Sequence, residues 1–350
     1  MKLVNYLSIF LLFFCSITLV QGQQNIDSIL NNKKSGSRTD LKIHFTDNES
    51  KTYVPITIIK GIKPGPTLTI VAGVHGYEYP PIVALQEFLN EINVQGLKGN
   101  IIVIPIANIG SFYGRSPFVN PLDNVNLNNA FPGDVNGSIT QKIAYFITKK
   151  IIPVSDVFLD IHGGDANEDL LPFVCYYDNR NNQEKTAKAA QLSKSSGFSN
   201  IVSYNYSLKD SEPAKYMFKQ AVQDGKVALS FEAGKLGTVH NEAVDLNKNG
   251  IYSILKELKM YNAKVVAPGT KNYFNKQSYI KSTEKGIFYS NLKAGDYIKT
   301  GDAVGVIKDE FGKTLVSINA PSTGIVLYKI GTPPVNIGET VMCIGTPIKK

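Results

Sequence analysis

Between residue 67 and about residue 260 the chain alternates short apolar runs with segments of helical spacing, and few folds accommodate that rhythm. Residues 67–74 (TLTIVAGV) form an apolar run of strand length, as a strand covered on both faces requires. Pro80-Pro81 can open a helix, in which Ile82, Leu85, Phe88, Leu89 and Ile92 recur on one face. Residues 101–107 (IIVIPIA) read as the next strand, 139–152 as a helix and 154–161 as a strand. Strands at 171–177 and 227–231 continue the pattern, with helices near 183–195, 213–224 and 241–260. This predicts an α/β fold with a mainly parallel or mixed sheet flanked by helices. Such sheets carry their sites where strands run out into loops.

The rhythm stops near Val265. From 265 to 350 no segment has helical spacing, and short strands broken by Gly and Pro take over. This predicts a small all-β C-terminal domain, with 309–313 (DEFGK) as a hairpin tip and a lid or assembly surface as its role. A β tail of this kind can pair subunits into a homo-oligomer. At the other end, residues 1–22 have a basic start at Lys2, an apolar stretch from Tyr6 to Cys15 and a small residue at Gly22. That is the layout of a secretory signal peptide, so cleavage after Gly22 and a secreted or periplasmic location are expected, with no stable membrane insertion afterwards. Residues 23–42 are polar and read as a flexible leader. The expected catalytic domain is then 43–264. Of three cysteines, Cys175 and Cys343 remain, both in apolar runs, and buried inert thiols are expected of them.

Composition narrows the function. Hydrophobic residues are 43% and charged residues 19%, which excludes a disordered chain and a long coiled coil. The net charge of +8 is spread without a run of five like charges, a basic soluble surface with no nucleic-acid footprint.

Chemistry-bearing residues gather at strand ends. His75 and Glu78 lie three apart after the first apolar run, in GVHGYE, and His162 follows another, in FLDIHGG. Neighbouring strands would bring a His, a Glu and a His together, the catalytic zinc pattern of three protein ligands and an open position. An HxxE pair alone is common, and a His at a strand end can be a packed core residue. The shared location of His75 and His162, each followed by Gly, favours the joint reading. A hydrolase of this type also needs a base, and Glu232 in SFEAG puts a carboxylate at the end of one more apolar strand. Arg115 precedes an Asn-rich loop, 117–133, which can line a cleft and offer donors to an anionic substrate or can be a plain surface loop.

These motifs resemble the succinylglutamate desuccinylase and aspartoacylase family, a branch of the zinc carboxypeptidase superfamily, over most of the chain. The resemblance implies His75, Glu78 and His162 as ligands of one zinc ion and Glu232 as general base. The loop DNVNLNNAFPG resembles the family's DGxDLNRxFPG, which implies Asn128 and Arg115 as substrate contacts. The C-terminal stretch resembles the family's β-rich domain of barrel-sandwich type, and DEFGK carries no lipoyl or biotinyl lysine motif. Two positions depart from the family. Asn126 stands where the family often has Asp; its amide can still accept from a metal-held imidazole. Asn129 stands where the family usually has Arg and cannot grip a carboxylate bidentately. Either Arg115 does that task alone or the substrate is less acidic. The resemblance therefore implies a zinc-dependent hydrolase acting on an N-acyl amino acid or related small molecule. The alternatives are a metallocarboxypeptidase acting on short peptides and a non-catalytic protein that keeps zinc and a cleft.

Overall fold

The structure, a computed structural model, describes residues 26–32, 34–47, 50–209, 211–266 and 269–348. The expected signal peptide lies outside the described residues. Among the described residues, no helix is long and apolar enough to cross a membrane.

One mixed sheet forms the frame. Its centre is the parallel trio Lys63–Val71, Val157–His162 and Val227–Glu232. All six residues of Val157–His162 are buried. Alternate side chains of this strand enter two separate cores: Phe158 packs on one face, Leu159 and Ile161 on the other. That is why the central strands read as mostly apolar runs and not as a polar–apolar alternation. Tyr79–Glu91 and Asn241–Glu257 cover one face through Leu85, Phe88, Ile251 and Ile254. Ile139–Phe146, continued by a wider π-type turn at Ile147–Ile151, covers the other with Ile143, Phe146 and Ile151. Burying one Phe of this kind stabilises by roughly 1.5–3 kcal/mol.

The segment expected to be a flexible leader is built into this frame. Ile26–Asn32 is a helix, with Ile26 buried in the core. Ser37–Thr46 is a strand that pairs antiparallel with Lys51–Lys60 over ten residue pairs. It reads as polar because it is the sheet's edge: Ile43 and Phe45 point inward while Arg38, Asp40, Lys42, His44 and Thr46 face solvent. The strand Lys51–Lys60, which the sequence pattern did not reveal, joins it to the main sheet.

The β-rich C-terminal region starts at Asn272. Its first strand, Asn272–Lys281, pairs parallel with Asn200–Asn205 and then antiparallel with Thr340–Ile348. The main sheet thus runs on into the C-terminal region, which also has a four-stranded sheet and a core of its own around Phe288, Ile307 and Val341. The expected lid or assembly surface is, on one side, a wall of the cavity described next.

Candidate active site and metal centre

Strand register brings the site together. Val71 lies beside Asp160, and Glu232 is the register partner of His162. His75 follows the first of these strands at a tight strand-to-helix turn. Gly73 there has φ +64°, and a Cβ on it would meet the Ile106 backbone at 2.9 Å. Gly76 packs so closely that a Cβ would come within 2.4 Å of the Ser116 carbonyl oxygen. Asn108 donates to the Val74 carbonyl at 3.3 Å. Pro80 and Pro81 then start the helix, with Glu78 at its cap position. The turn therefore fixes His75 and Glu78 on one side.

The two imidazoles converge on one carboxylate. His75 Nδ1 lies 2.7 Å from Glu78 Oε1, and His162 Nδ1 lies 3.1 Å from Glu78 Oε2. The three ligand atoms lie within 4.8 Å of one another, and all three residues are buried. Two imidazole nitrogens and a carboxylate oxygen, all aimed at one point, fit the donor set of a catalytic zinc ion. Burial alone would raise Glu78, but the two imidazoles hold it down at about 2. Burial alone would lower both histidines; Glu78 more than offsets this at His75, and Asp160 with Glu78 does so at His162. The cluster is thus a proton-holding set until a cation displaces the protons.

Asp160 is a part of this site that the sequence reading missed. It is fully buried, and its Oδ1 lies 3.1 Å from His162 Nε2, the nitrogen facing away from Glu78. That atom is out of line for a hydrogen bond, and neither carboxylate oxygen has another partner among the described residues. A carboxylate behind a ligating histidine fixes its orientation and basicity. Asp160→Asn should weaken zinc binding by roughly 10–100-fold. Competition with a chromophoric chelator measures it, and an unchanged dissociation constant would count against the role. Asp160 was visible in principle, since a lone acid in the run FLDIH is costly without a task.

Glu232 and Asn128 line the same cavity as the cluster, a space of about 320 Å³. Burial pushes the Glu232 carboxyl well up; His162 opposes this, while Glu78, Glu168 and Asp160 reinforce it. Phe118, held at φ +60°, sets its ring edge against His75 with centroids 5.5 Å apart. Tyr204, Tyr279, Leu327 and Tyr328 complete much of the wall, three of them from the C-terminal region. Such partners come from distant strands, so no local pattern announces them. Cys175 and Cys343 are free and buried, and burial pushes the Cys343 thiol up to about 12. Unreactive thiols follow at neutral pH.

Other expected residues stand elsewhere. Arg115 is exposed, in the left-handed region at a helix end, and is not part of the cavity wall. Asn129 is also exposed and outside the wall. Asn126 does not accept from an imidazole. Its oxygen instead takes the Asn128 N–H at 2.8 Å, capping the short turn Leu127–Asn129, and His75 Nε2 is left without a hydrogen bond among the described residues.

Residues 64–258 match the succinylglutamate desuccinylase/aspartoacylase catalytic domain. The chain belongs to that family. Its members act as deacylases on N-acyl amino acids. The chain is 28% identical over 320 residues to the N-alpha-acetyl-L-2,4-diaminobutyric acid deacetylase of Halomonas elongata, covering 88% of this chain and 91% of that one. A family structure from a Silicibacter species, a succinylglutamate desuccinylase, superposes with a TM-score of 0.80 at 23% identity, covering 89% of this chain and 95% of that one. The product-bound ectoine utilization protein of Ruegeria pomeroyi also gives 0.80 at 23% identity, with 90% and 96% covered. At that identity the structures speak for the family's fold.

Proposed function

We propose that this chain is a zinc-dependent amide hydrolase that removes the acyl group from an N-acyl amino acid or a related small molecule. The observation that carries the proposal is the convergence of His75, Glu78 and His162 on one point, with Glu232 beside His162 in strand register. His75, Glu78 and His162 would hold one zinc ion. Bound there, zinc supplies a Lewis acid and brings the pKa of water to about 7. Glu232 takes a proton from the attacking water and passes it to the leaving amine, which its raised pKa favours over a surface carboxylate. Asn128 presents its amide to the substrate; its oxygen is engaged by the Met217 N–H at 3.4 Å, which leaves its NH2 group for a substrate acceptor. Arg115 has no place in this scheme, because it lies outside the cavity wall.

A metallocarboxypeptidase needs a cation for the terminal carboxylate of a peptide. Neither Arg115 nor Asn129 provides one inside the cavity, but an N-acyl amino acid carries the same free carboxylate, so the deacylase reading rests on the family match and on the deacetylase relative. The purified protein should contain about one zinc per chain and hydrolyse members of an N-acyl amino acid panel faster than short peptides. A chelator should abolish turnover and zinc should restore it. Full turnover by metal-free protein would refute zinc dependence, and zinc-loaded protein that turns over nothing would point to a binding protein. We also propose export to the periplasm or beyond with cleavage after Gly22, on the strength of residues 1–22 alone. An exported chain whose mass still includes those residues would refute it.

A further inference from the structure

His162 of the metal cluster and Glu232 stand where two chambers meet. Asn128, His162, Tyr204, Glu232 and Tyr279 line both, and the chambers measure about 320 and 350 Å³. Among the described residues, no Lys or Arg lines either one. Lys235, three residues past the base, is paired with Asp169 at 3.4 Å. Arg180 lines a separate outer depression, together with Asp178. On sequence, Arg115 is expected to meet an anionic substrate group, and the cavity wall has no such cation.

It has a surplus acid instead. Glu168 faces the first chamber and belongs neither to the cluster nor to the base. Its backbone is tied on both sides: its N–H donates to the Asp165 carbonyl at 3.0 Å, and its carbonyl accepts the Leu236 N–H at 2.8 Å. The strand Glu168–Leu170 is anchored on Gly324–Ile330. The side chain is held too, because the Asp165 N–H donates to Oε2 at 2.8 Å. No cationic side chain pairs with Glu168 among the described residues. A fixed carboxylate in an aromatic-walled chamber, without a protein cation, costs stability when ionised unless a ligand supplies the counter-charge. Tyr204, Tyr279 and Tyr328 line the same chamber, and aromatic faces add attraction for an ammonium group.

We propose that Glu168 is the specificity-determining residue of this site and takes an ammonium group of the substrate. The preferred substrate is then an N-acyl compound with a second, free amine, an N-acyl diamine or diamino acid. N-acyl acidic amino acids are repelled by the same carboxylate. This rests on the deacylase reading for turnover, but the recognition step can be measured without it.

The zinc-loaded protein is assayed on Nα-acetyl-ornithine, its neutral isostere Nα-acetyl-norleucine, and Nα-acetyl-glutamate. Calorimetry of L-ornithine and L-norleucine follows binding independently of turnover. We expect the cationic substrate to lead the neutral one by roughly tenfold or more in kcat/KM, with the acidic one last. In Glu168→Gln the cationic-to-neutral ratio should collapse toward one, chiefly through KM, and Glu168→Asp should recover part of it. A purely structural role for Glu168 would lower all three rates together and leave their ratio intact. Equal rates in the parent, or an unchanged ratio in Glu168→Gln, overturns the proposal while the deacylase reading stands. If nothing is hydrolysed but ornithine binds through Glu168, the deacylase reading fails and the cation site survives. Neither turnover nor selective ornithine binding sinks both.

Discussion

Replacing Glu232 with Gln should leave zinc content unchanged and lower kcat by roughly 10²–10⁴-fold. The amide fills the same space, so the cavity and the three side chains that would hold the metal keep their positions. What it loses is the ability to accept a proton. Burial, reinforced by Glu78 and Glu168, raises the Glu232 carboxyl well above its ordinary 4.5 against the opposing pull of His162. A base must be ionised to work, so kcat/KM against pH should show an acid limb in the parent. In the variant that limb should vanish along with the activity. Zinc analysis by mass spectrometry alongside steady-state kinetics checks both halves. A Gln variant as fast as the parent would remove Glu232 from proton transfer and shift the search to another acid in the wall.

The strand ends were legible in the sequence for a physical reason. A central strand covered on both faces must be apolar throughout, so a polar residue at its end marks where the sheet opens. His75, His162 and Glu232 all stand at such marks, and neighbouring strands bring them together. Edge strands obey a weaker rule. Ser37–Thr46 buries only Ile43 and Phe45, which looks like a loop until the partner strand is seen. Side chains that reach the cavity from far along the chain follow no local rule at all. Tyr279 and Tyr328 arrive through the pairing of Asn272–Lys281 and Gly324–Ile330 with Thr340–Ile348. Arg115 stands apart from these residues in the structure. It precedes the cavity-lining loop in sequence, but its backbone turns left-handed at the end of Ile109–Gly114, and the side chain is exposed to solvent.

Removing His162 should cost far more metal affinity than removing the acid behind it. Asp160→Asn leaves all three donors in place, whereas His162→Ala leaves only His75 and Glu78, too few for a closed protein set. The loss should therefore exceed the roughly 10–100-fold expected of a supporting partner. Proton linkage provides a second reading. In the metal-free protein His75 and His162 both hold their protons above the ordinary 6.5: burial works against this, and the carboxylates of Glu78 and, at His162, Asp160 override it. A metal must displace those protons, so zinc affinity should rise with pH through the neutral range in the parent, and with a slope one proton shallower in His162→Ala. The sign for stability is opposite. A histidine whose folded pKa is raised stabilises the metal-free fold fully below its unfolded value, and that contribution is lost as pH rises through the folded pKa. Glu168, raised by burial to about 7 from 4.5, acts in the same direction over that lower window, since the folded state holds its proton longer. The metal-free protein should thus melt at lower temperature as pH increases past neutrality, while the gain in melting temperature on adding zinc grows. Melting curves with and without zinc across that range test the pair of slopes together. A zinc-induced shift that is flat with pH, or equal in His162→Ala and parent, would mean that these imidazoles do not hold the ion.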